Sequence, residues 1–146
     1  MTDMPNHFTG GCLCGAIRYA CTARPCDVHY CHCRLCQKAF GNVFAVFGSL
    51  PGSALSFTRG TPRFYQSTPH AERGFCRDCG TPLTFRYLRS HWIAIAIGSL
   101  DHPDAVRPEI HWGIECQVPW LAMHDGLPRK PIEGDPEYMA MRRIAE

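Results

Sequence analysis

Short runs in which apolar and polar residues alternate, separated by glycine and proline, cover most of this chain. A period of two is typical of strands, and the pattern predicts strands over 16–21, 43–47, 54–58, 63–66, 83–87 and 92–97. In the last run Ile93 and Ile95 alternate with Ala94 and Ala96, which indicates a strand partly covered on both faces. Because long helical periodicity is absent, we expect a single, mainly β domain.

Helical patterns are confined to two short segments. Residues 34–40 favour one or two turns opened by the loop CHCRLC, and residues 136–146 place Tyr138, Met141 and Ile144 at helical spacing. The intervening segment 103–130 is rich in proline. We expect it to run as irregular loops with one edge strand near 110–112.

Composition places the chain among ordinary soluble domains. It has 146 residues, 45% of them apolar, and a formal net charge of +2. This weak charge argues against nucleic acid or an anionic membrane as a partner. No apolar run reaches the length of a membrane span, and the first residues lack the basic and apolar regions of a secretion signal. We therefore expect a cytoplasmic protein, either a monomer or a homodimer.

Cysteine usage changes this picture most. The ten cysteines could form five disulfides, but frequent disulfides are typical of small secreted domains. The CxC and CxxC spacing instead favours metal binding. Seven of the ten lie in three clusters: Cys12 and Cys14; Cys31, Cys33 and Cys36; Cys76 and Cys79. Structural zinc takes four protein ligands, whereas catalytic zinc takes three and keeps an open position. Seven thiolates therefore divide into one closed and one open site.

Two of the clusters are half-sites that must meet across the fold. We predict that a structural zinc is bound by Cys12, Cys14, Cys76 and Cys79. Glycines flank both pairs, and they allow tight turns whose N–H groups point at sulfur. Because such a site joins distant segments, its binding energy would also be folding energy.

The middle cluster carries the predicted chemistry. Cys31, Cys33 and Cys36 can grip a catalytic zinc from one loop, with water, a substrate thiol or a protein group as fourth ligand. His29 or His32 could close the site, and a single zinc shared among the clusters is a further alternative. Zinc on three thiolates is a weak Lewis acid for water but well suited to a soft thiol. The predicted substrate is therefore a small thiol that reacts with an electrophilic carbon.

Several further residues are candidates for smaller roles. Arg34, Lys38 and Arg73 lie near the clusters in sequence and could hold the carboxylates of a thiol. Cys21, Cys26 and Cys116 follow no pairing rule and suit small buried apolar positions. Cys26, just ahead of the middle cluster, has the strongest case among these three for a functional role.

The segments GGCLCGAIRY, CHCRLCQKAFG, GFCRDCGTPLTF and GSLDHP, with the later PEIHW and DGLP, carry a resemblance. In sequence and order they resemble the glutathione-dependent formaldehyde-activating enzymes (GFA), a group that includes centromere protein V. The resemblance implies the twisted, mainly β, Mss4-like fold, with antiparallel sheets, one or two short helices and two zinc ions. It implies an N-terminal arm over 1–9, a GFA-type zinc-binding domain over 10–130 and a C-terminal extension over 131–146.

The resemblance also implies an activity. The family condenses formaldehyde with glutathione and is classed as a carbon–sulfur lyase, with Cys31, Cys33 and Cys36 as the catalytic zinc ligands. The family has a serine and a basic residue shortly before a tryptophan. This chain instead has Glu115, Cys116, Gln117, Val118 and Pro119 ahead of Trp120. A thiol-binding zinc protein without turnover and a zinc-stabilised scaffold for a macromolecule are the alternative hypotheses.

Overall fold

The computed structural model describes residues 8–134 and 136, and this part of the chain contains one α-helix and a series of short strands. The helix α1 spans Arg34–Phe40. The strands are β1 Phe8–Gly11, β2 Arg18–Cys21, β3 Cys26–Cys31, β4 Ala45–Pro51, β5 Leu55–Arg59, β6 Arg63–Thr68, β7 Ala71–Phe75, β8 Pro82–Tyr87, β9 Trp92–Ala96, β10 Ile110–Trp112 and β11 Arg129–Lys130.

The strands form two sheets. The smaller has the order β1-β2-β5, and the larger has the order β11-β10-β3-β4-β9-β8-β7-β6. Neighbours are antiparallel except that β10 runs parallel to both β3 and β11. The prediction of a mainly β domain with antiparallel sheets is confirmed. No helix among residues 8–134 and 136 has the length and apolar character that crossing a bilayer requires.

The predicted strands are all present, with ends shifted by a few residues. The strand at Ile110–Trp112 was predicted at an edge, and this was wrong, because β11 pairs with its outer side. Pattern reading missed β1, β3, β7 and β11. The sequence AERGF of β7 lacks apolar alternation, and its position between β6 and β8 makes it a strand. The helix predicted for 136–146 falls, apart from Pro136, outside the described residues.

Two apolar clusters form the core. The larger packs the small sheet against the large one around Tyr19, Leu50, Leu83 and Ile95, all nearly or fully buried. The second lies where α1 meets the large sheet and includes all three cysteines of the middle cluster. The helix ends at Gly41, whose left-handed backbone (φ 60°) returns its N–H to the Gln37 carbonyl. The middle cluster is therefore built into the core.

Candidate metal centre

Cys12, Cys14, Cys76 and Cys79 come together and are named here the four-thiol cluster. Their sulfurs all lie within 4.8 Å of one another. The Cys14 sulfur is 3.7 Å from that of Cys12 and 3.8 Å from that of Cys76. Tetrahedral zinc with Zn–S bonds of about 2.3 Å separates its thiolates by about 3.8 Å. The donor set and its spacing therefore fit zinc, and the binding of zinc here stays a prediction.

Hydrogen-bond donors surround these sulfurs. The Ile17 N–H donates to the Cys12 sulfur at 3.2 Å. The Thr81 hydroxyl lies 3.2 Å from the Cys79 sulfur. This hydroxyl, with the backbone N–H groups of Thr81 and Cys14, lowers the pKa of the Cys79 thiol to about 5. These donors thus favour the thiolate of Cys79, the form that binds metal.

Cys31, Cys33 and Cys36 also come together and are named the three-thiol cluster. Cys31 ends β3, Cys33 is the N-cap of α1, and Cys36 lies in the first turn of the helix. The Cys33 sulfur accepts the Cys36 N–H at 3.4 Å and lies 3.4 Å from the Cys31 sulfur. All three side chains are buried. A strand end and a helix start therefore deliver three thiols to one point.

Histidine does not complete this cluster in the part of the chain that the structure describes. The group of mutually close ligand atoms there contains the three thiols alone. His32 turns away and lies 2.9 Å from His111, while His29 bonds the Asp27 carbonyl at 2.7 Å. The two clusters are also separate groups of ligand atoms. The arrangement therefore favours two sites over one shared ion, and the second lacks a fourth ligand among the described residues.

The three-thiol cluster opens onto one face of the large sheet. Residues directly opposite each other on paired strands share a face, as do residues two apart on one strand. By these rules His29 and Cys31 of β3 lie on the same face of the sheet. Phe47 of β4 lies on this face too, because it is directly opposite His29. The same face continues across the sheet through Ser49, Ala94, Phe85 and Arg73.

A pocket of about 280 Å³ lies over this face. Its walls are mainly aromatic and aliphatic, with two arginines, two serines and one histidine as polar groups. The residues are His29, Cys31, Cys33, Leu35, Cys36, Phe47, Ser49, Arg73, Phe85, Arg86, Tyr87, Ser90, Trp92, Ile93, Ala94, Trp112 and Ile132. An apolar cavity with a few polar groups at a reactive cluster is the usual form of a small-molecule site.

Arg73 is the cation at the sulfurs. Its guanidinium donates to the Cys36 sulfur at 3.6 Å and lies over the Phe85 ring at 4.9 Å from the ring centre. Hydrogen bonds from the Cys31 and Cys33 thiols, and then the charge of Arg73, hold the pKa of the Cys36 thiol well below its ordinary value. Arg34 and Lys38, the other predicted cations, do not line this pocket, since they lie on the solvent side of α1.

A buried polar chain behind the cluster was missed by sequence reasoning. His111 donates from Nε2 to the Asp125 carboxylate at 2.7 Å, and its Nδ1 shares a hydrogen bond of 2.9 Å with His32 Nε2. Both histidines are fully buried, and burial, followed by the charge of His111, lowers the pKa of His32 to about 4. Both partners lie in the segments PEIHW and DGLP, but no spacing rule connects them with His32.

Gln37 fastens the same loop from the helix side. Its buried amide nitrogen donates to the carbonyl oxygens of His32, Val43 and Cys116 at 2.9, 3.2 and 3.1 Å. Gly113 lets another segment pass close by, since its φ is +72° and a Cβ there would lie 3.1 Å from the Cys33 N atom. The loop is therefore held by the protein itself.

The remaining cysteines lie outside both groups. Cys21 is fully buried, and burial raises the pKa of its thiol to about 11. Cys26 is exposed at the start of β3 and contacts Asp27, and Cys116 is half-buried. The expected apolar role suits Cys21 and does not suit the exposed Cys26.

Comparison with known proteins identifies the family. Residues 7–115 match the family model named glutathione-dependent formaldehyde-activating enzyme, which is most of the chain. The chain belongs to this family. An uncharacterized lyase of Schizosaccharomyces pombe is 32% identical over 80 residues, covering 55% of this chain and 58% of that protein. The chain spans little more than half the length of the curated relatives it matches.

Other family members and one solved structure extend this result. A Phaeosphaeria nodorum protein, itself provisionally named a glutathione-dependent formaldehyde-activating enzyme, is 30% identical over 98 residues, 62% of this chain and 52% of that protein. A crystal structure of a Rhodobacter sphaeroides protein matches with a TM-score of 0.51 at 19% identity, covering 84% of this chain and 98% of that one. This likeness concerns the fold alone, and the Mss4-like assignment stays a prediction.

Proposed function

We propose that this protein is a zinc-dependent carbon–sulfur lyase or synthase. Its substrates would be adducts of glutathione, or a similar small thiol, with formaldehyde or a related small aldehyde. Membership of the glutathione-dependent formaldehyde-activating enzymes supports the class of reaction. The observation that carries the proposal is a cluster of three thiols, without a fourth protein ligand among the described residues, at a pocket of about 280 Å³.

The donor set argues for zinc and for a thiol substrate together. When bound by three thiolates, zinc offers one further position to a soft ligand and keeps a thiolate deprotonated at neutral pH. Cys31, Cys33 and Cys36 would hold this ion, and Cys12, Cys14, Cys76 and Cys79 would hold a structural one. The apolar walls formed by Phe47, Phe85 and their neighbours would exclude water from the reacting carbon.

His29 is the residue suited to proton transfer. Its Nδ1 faces the Asp27 carbonyl at 2.7 Å, and because a carbonyl only accepts, Nδ1 carries the proton. In the neutral ring Nε2 is then a proton acceptor, and the side chain lines the pocket. In adduct formation a sulfur–carbon bond forms, and the thiol proton ends on the former carbonyl oxygen. His29 would carry that proton, and nothing is oxidised or reduced.

The experiment follows binding and turnover on one preparation. Glutathione is titrated by calorimetry into protein shown by mass spectrometry to hold two zinc ions per chain. Exchange between glutathione, formaldehyde and their adduct is then measured by magnetisation-transfer NMR. The uncatalysed rate in buffer is the reference, because thiols add to formaldehyde without a catalyst. We expect saturable binding and an exchange rate above this reference.

Two serine variants provide the control. Cys33→Ser removes one thiol of the three-thiol cluster, and Cys26→Ser removes an exposed thiol outside both clusters. Binding and exchange should disappear in the first variant and persist in the second. Binding without faster exchange would instead favour a thiol carrier, and absence of binding with both zinc ions present would overturn the glutathione proposal.

A further inference from the structure

Arg73 stands out among the residues of the pocket because its guanidinium contacts a cysteine sulfur and an aromatic ring. The side chain is half-buried on β7, directly across from Phe85 on β8, whose ring lies under the guanidinium. One guanidinium nitrogen donates to the Cys36 sulfur at 3.6 Å. None of the ion pairs in the described part of the chain involves Arg73. Among the described residues, its positive charge therefore faces the thiols without forming an ion pair with a carboxylate.

Arg86, the second arginine of the same pocket, provides a contrast. Its guanidinium donates to the Glu72 carboxylate at 2.8 Å, so its charge is already compensated. Both arginines lie on neighbouring antiparallel strands, yet only Arg73 reaches a sulfur. In this pocket Arg73 is therefore directed at the three-thiol cluster, whereas the charge of Arg86 is compensated by Glu72.

We infer that Arg73 is a positioning residue that acts on the sulfurs, by a hydrogen bond to Cys36 and by compensating negative charge, and that it does not bind substrate carboxylates. This inference rests on the proposed function, since it concerns the metal and thiol that the cluster would hold. In this role the positive charge of Arg73 would allow a fourth anionic ligand to bind beside the three thiolates.

The physical reason is charge. Three thiolates and one Zn²⁺ carry a net charge of about −1, and a fourth thiolate would raise this to about −2 in a largely apolar pocket. Such charge is costly without a nearby cation. The guanidinium offers this compensation, and one of its N–H groups donates a charge-assisted hydrogen bond to the Cys36 sulfur. Stacking on Phe85 holds the guanidinium beside the sulfurs.

The test compares Arg73→Gln, which removes the charge, with Arg73→Lys, which keeps it. Lys38→Gln is the matched control, because it removes an equal charge from the solvent side of the helix that carries Cys36. All proteins are loaded with Co²⁺, whose thiolate-to-metal absorption reports on the sulfurs. The four-thiol cluster is unchanged in every variant, so difference spectra isolate the three-thiol cluster.

The cobalt absorption spectrum tests the contact between Arg73 and the Cys36 sulfur even when no small thiol has been added. A charged N–H donor lowers the energy of sulfur lone pairs. Arg73→Gln replaces it with a shorter, neutral amide that does not reach Cys36 in the same way, so the absorption should shift to longer wavelength. Arg73→Lys should shift it less, and Lys38→Gln should leave it unchanged. Loss of cobalt from the three-thiol cluster in Arg73→Gln but not in Arg73→Lys would also support the contact. An unchanged spectrum in Arg73→Gln with full cobalt loading would overturn it.

Two small thiols then separate the two possible tasks of the arginine. Mercaptoethanol has a neutral tail and mercaptopropionate has a carboxylate tail, and both are titrated into the same proteins. If Arg73 acts at sulfur, Arg73→Gln should weaken the binding of both thiols by the same factor of about ten. This is the scale of one charge-assisted hydrogen bond. Arg73→Lys should recover much of this loss.

Selective loss of mercaptopropionate binding would show a carboxylate clamp and would overturn the inference. Wild-type protein that binds neither thiol would contradict the proposed function, and the spectrum alone would then decide the role of Arg73. The two failures are therefore distinguishable.

Discussion

The two thiol clusters use the same side chain but are built in different ways. The four-thiol cluster joins the turn after β1 in the small sheet to the turn after β7 in the large sheet, with Cys14 and Cys76 separated by 62 positions. Its Cys14 is exposed and its Cys79 half-buried. The three-thiol cluster lies within six residues of chain, and all its thiols are buried beside the core.

What holds the ligands decides what a metal would do. In the four-thiol cluster the sulfurs themselves would connect two sheets through the ion, so binding energy would appear as folding energy. In the three-thiol cluster, the helix cap, Gln37 and the His32–His111–Asp125 chain already fix the loop. An ion there would add little to folding and could exchange its fourth ligand. The comparison yields four predictions, ordered by the size of the expected change in stability.

Cys76→Ser should produce the largest effect. Loss of one of four thiolates removes much of the roughly 10–16 kcal/mol that structural zinc contributes, so we expect the free energy of unfolding to fall by more than about 4 kcal/mol. Urea unfolding followed by circular dichroism, with metal content measured in parallel, provides the test. Cys26→Ser, on an exposed cysteine, is the control. A Cys76→Ser protein as stable as wild type would mean that the sheets do not depend on the cluster.

His111→Ala tests whether protein contacts support the three-thiol loop. The change leaves the buried His32 Nε2 without its hydrogen-bond partner and opens a cavity, and we expect the free energy of unfolding to fall by about 2–4 kcal/mol. His124→Ala changes an exposed histidine and should cost little. If both alanine variants unfolded at the same urea concentration, the claim that protein contacts hold the three-thiol loop would be wrong.

Asp101→Asn probes a connection that needs no metal, between the small sheet and the segment that follows β9. The carboxylate accepts from Arg18 at 2.8 Å and from the Thr9 hydroxyl at 2.7 Å, and these contacts lower its pKa to about 2. Because these groups are partly exposed, we expect a loss of about 1 kcal/mol.

The pH dependence of this loss has a definite sign. A carboxyl whose pKa falls on folding adds stability above its ordinary pKa and loses it only as pH falls toward the folded value. The difference between wild type and Asp101→Asn should therefore be constant from about pH 8 to about pH 6. Urea titrations at several pH values check this, and a difference that changes across this range would contradict the assigned pKa.

Cys33→Ser should have the smallest effect on stability. Serine is a good N-cap and can accept the Cys36 N–H in place of sulfur, so we expect a loss of about 1 kcal/mol or less. The same variant should lose one of two metal ions, measured by mass spectrometry. Destabilisation as large as that of Cys76→Ser would show that both clusters are structural and would favour the scaffold hypothesis.

Local features of both clusters could be predicted from the sequence. Cys31, Cys33 and Cys36 come from one short loop, and the half-sites Cys12–Cys14 and Cys76–Cys79 need each other to reach four ligands. Arg73 could be named only as one of three nearby cations. The buried chain through His111 and Asp125 could not be found, because its members lie in different loops and no periodicity connects them.

The amino-acid sequence by itself determined the division of the seven clustered thiols into groups of four and three, and a mainly β domain with a short helix at the CHCRLC loop. These follow from side-chain chemistry and from patterns within a few residues. The tertiary structure decided that His29 faces the pocket while His32 turns away, and that Arg73 reaches Cys36 while Arg34 and Lys38 do not. His32 lies directly after β3, and Arg34 and Lys38 lie on α1. Strand register placed His29 and Arg73 on the pocket face, because hydrogen bonds between distant segments decide which residues of a sheet share a face.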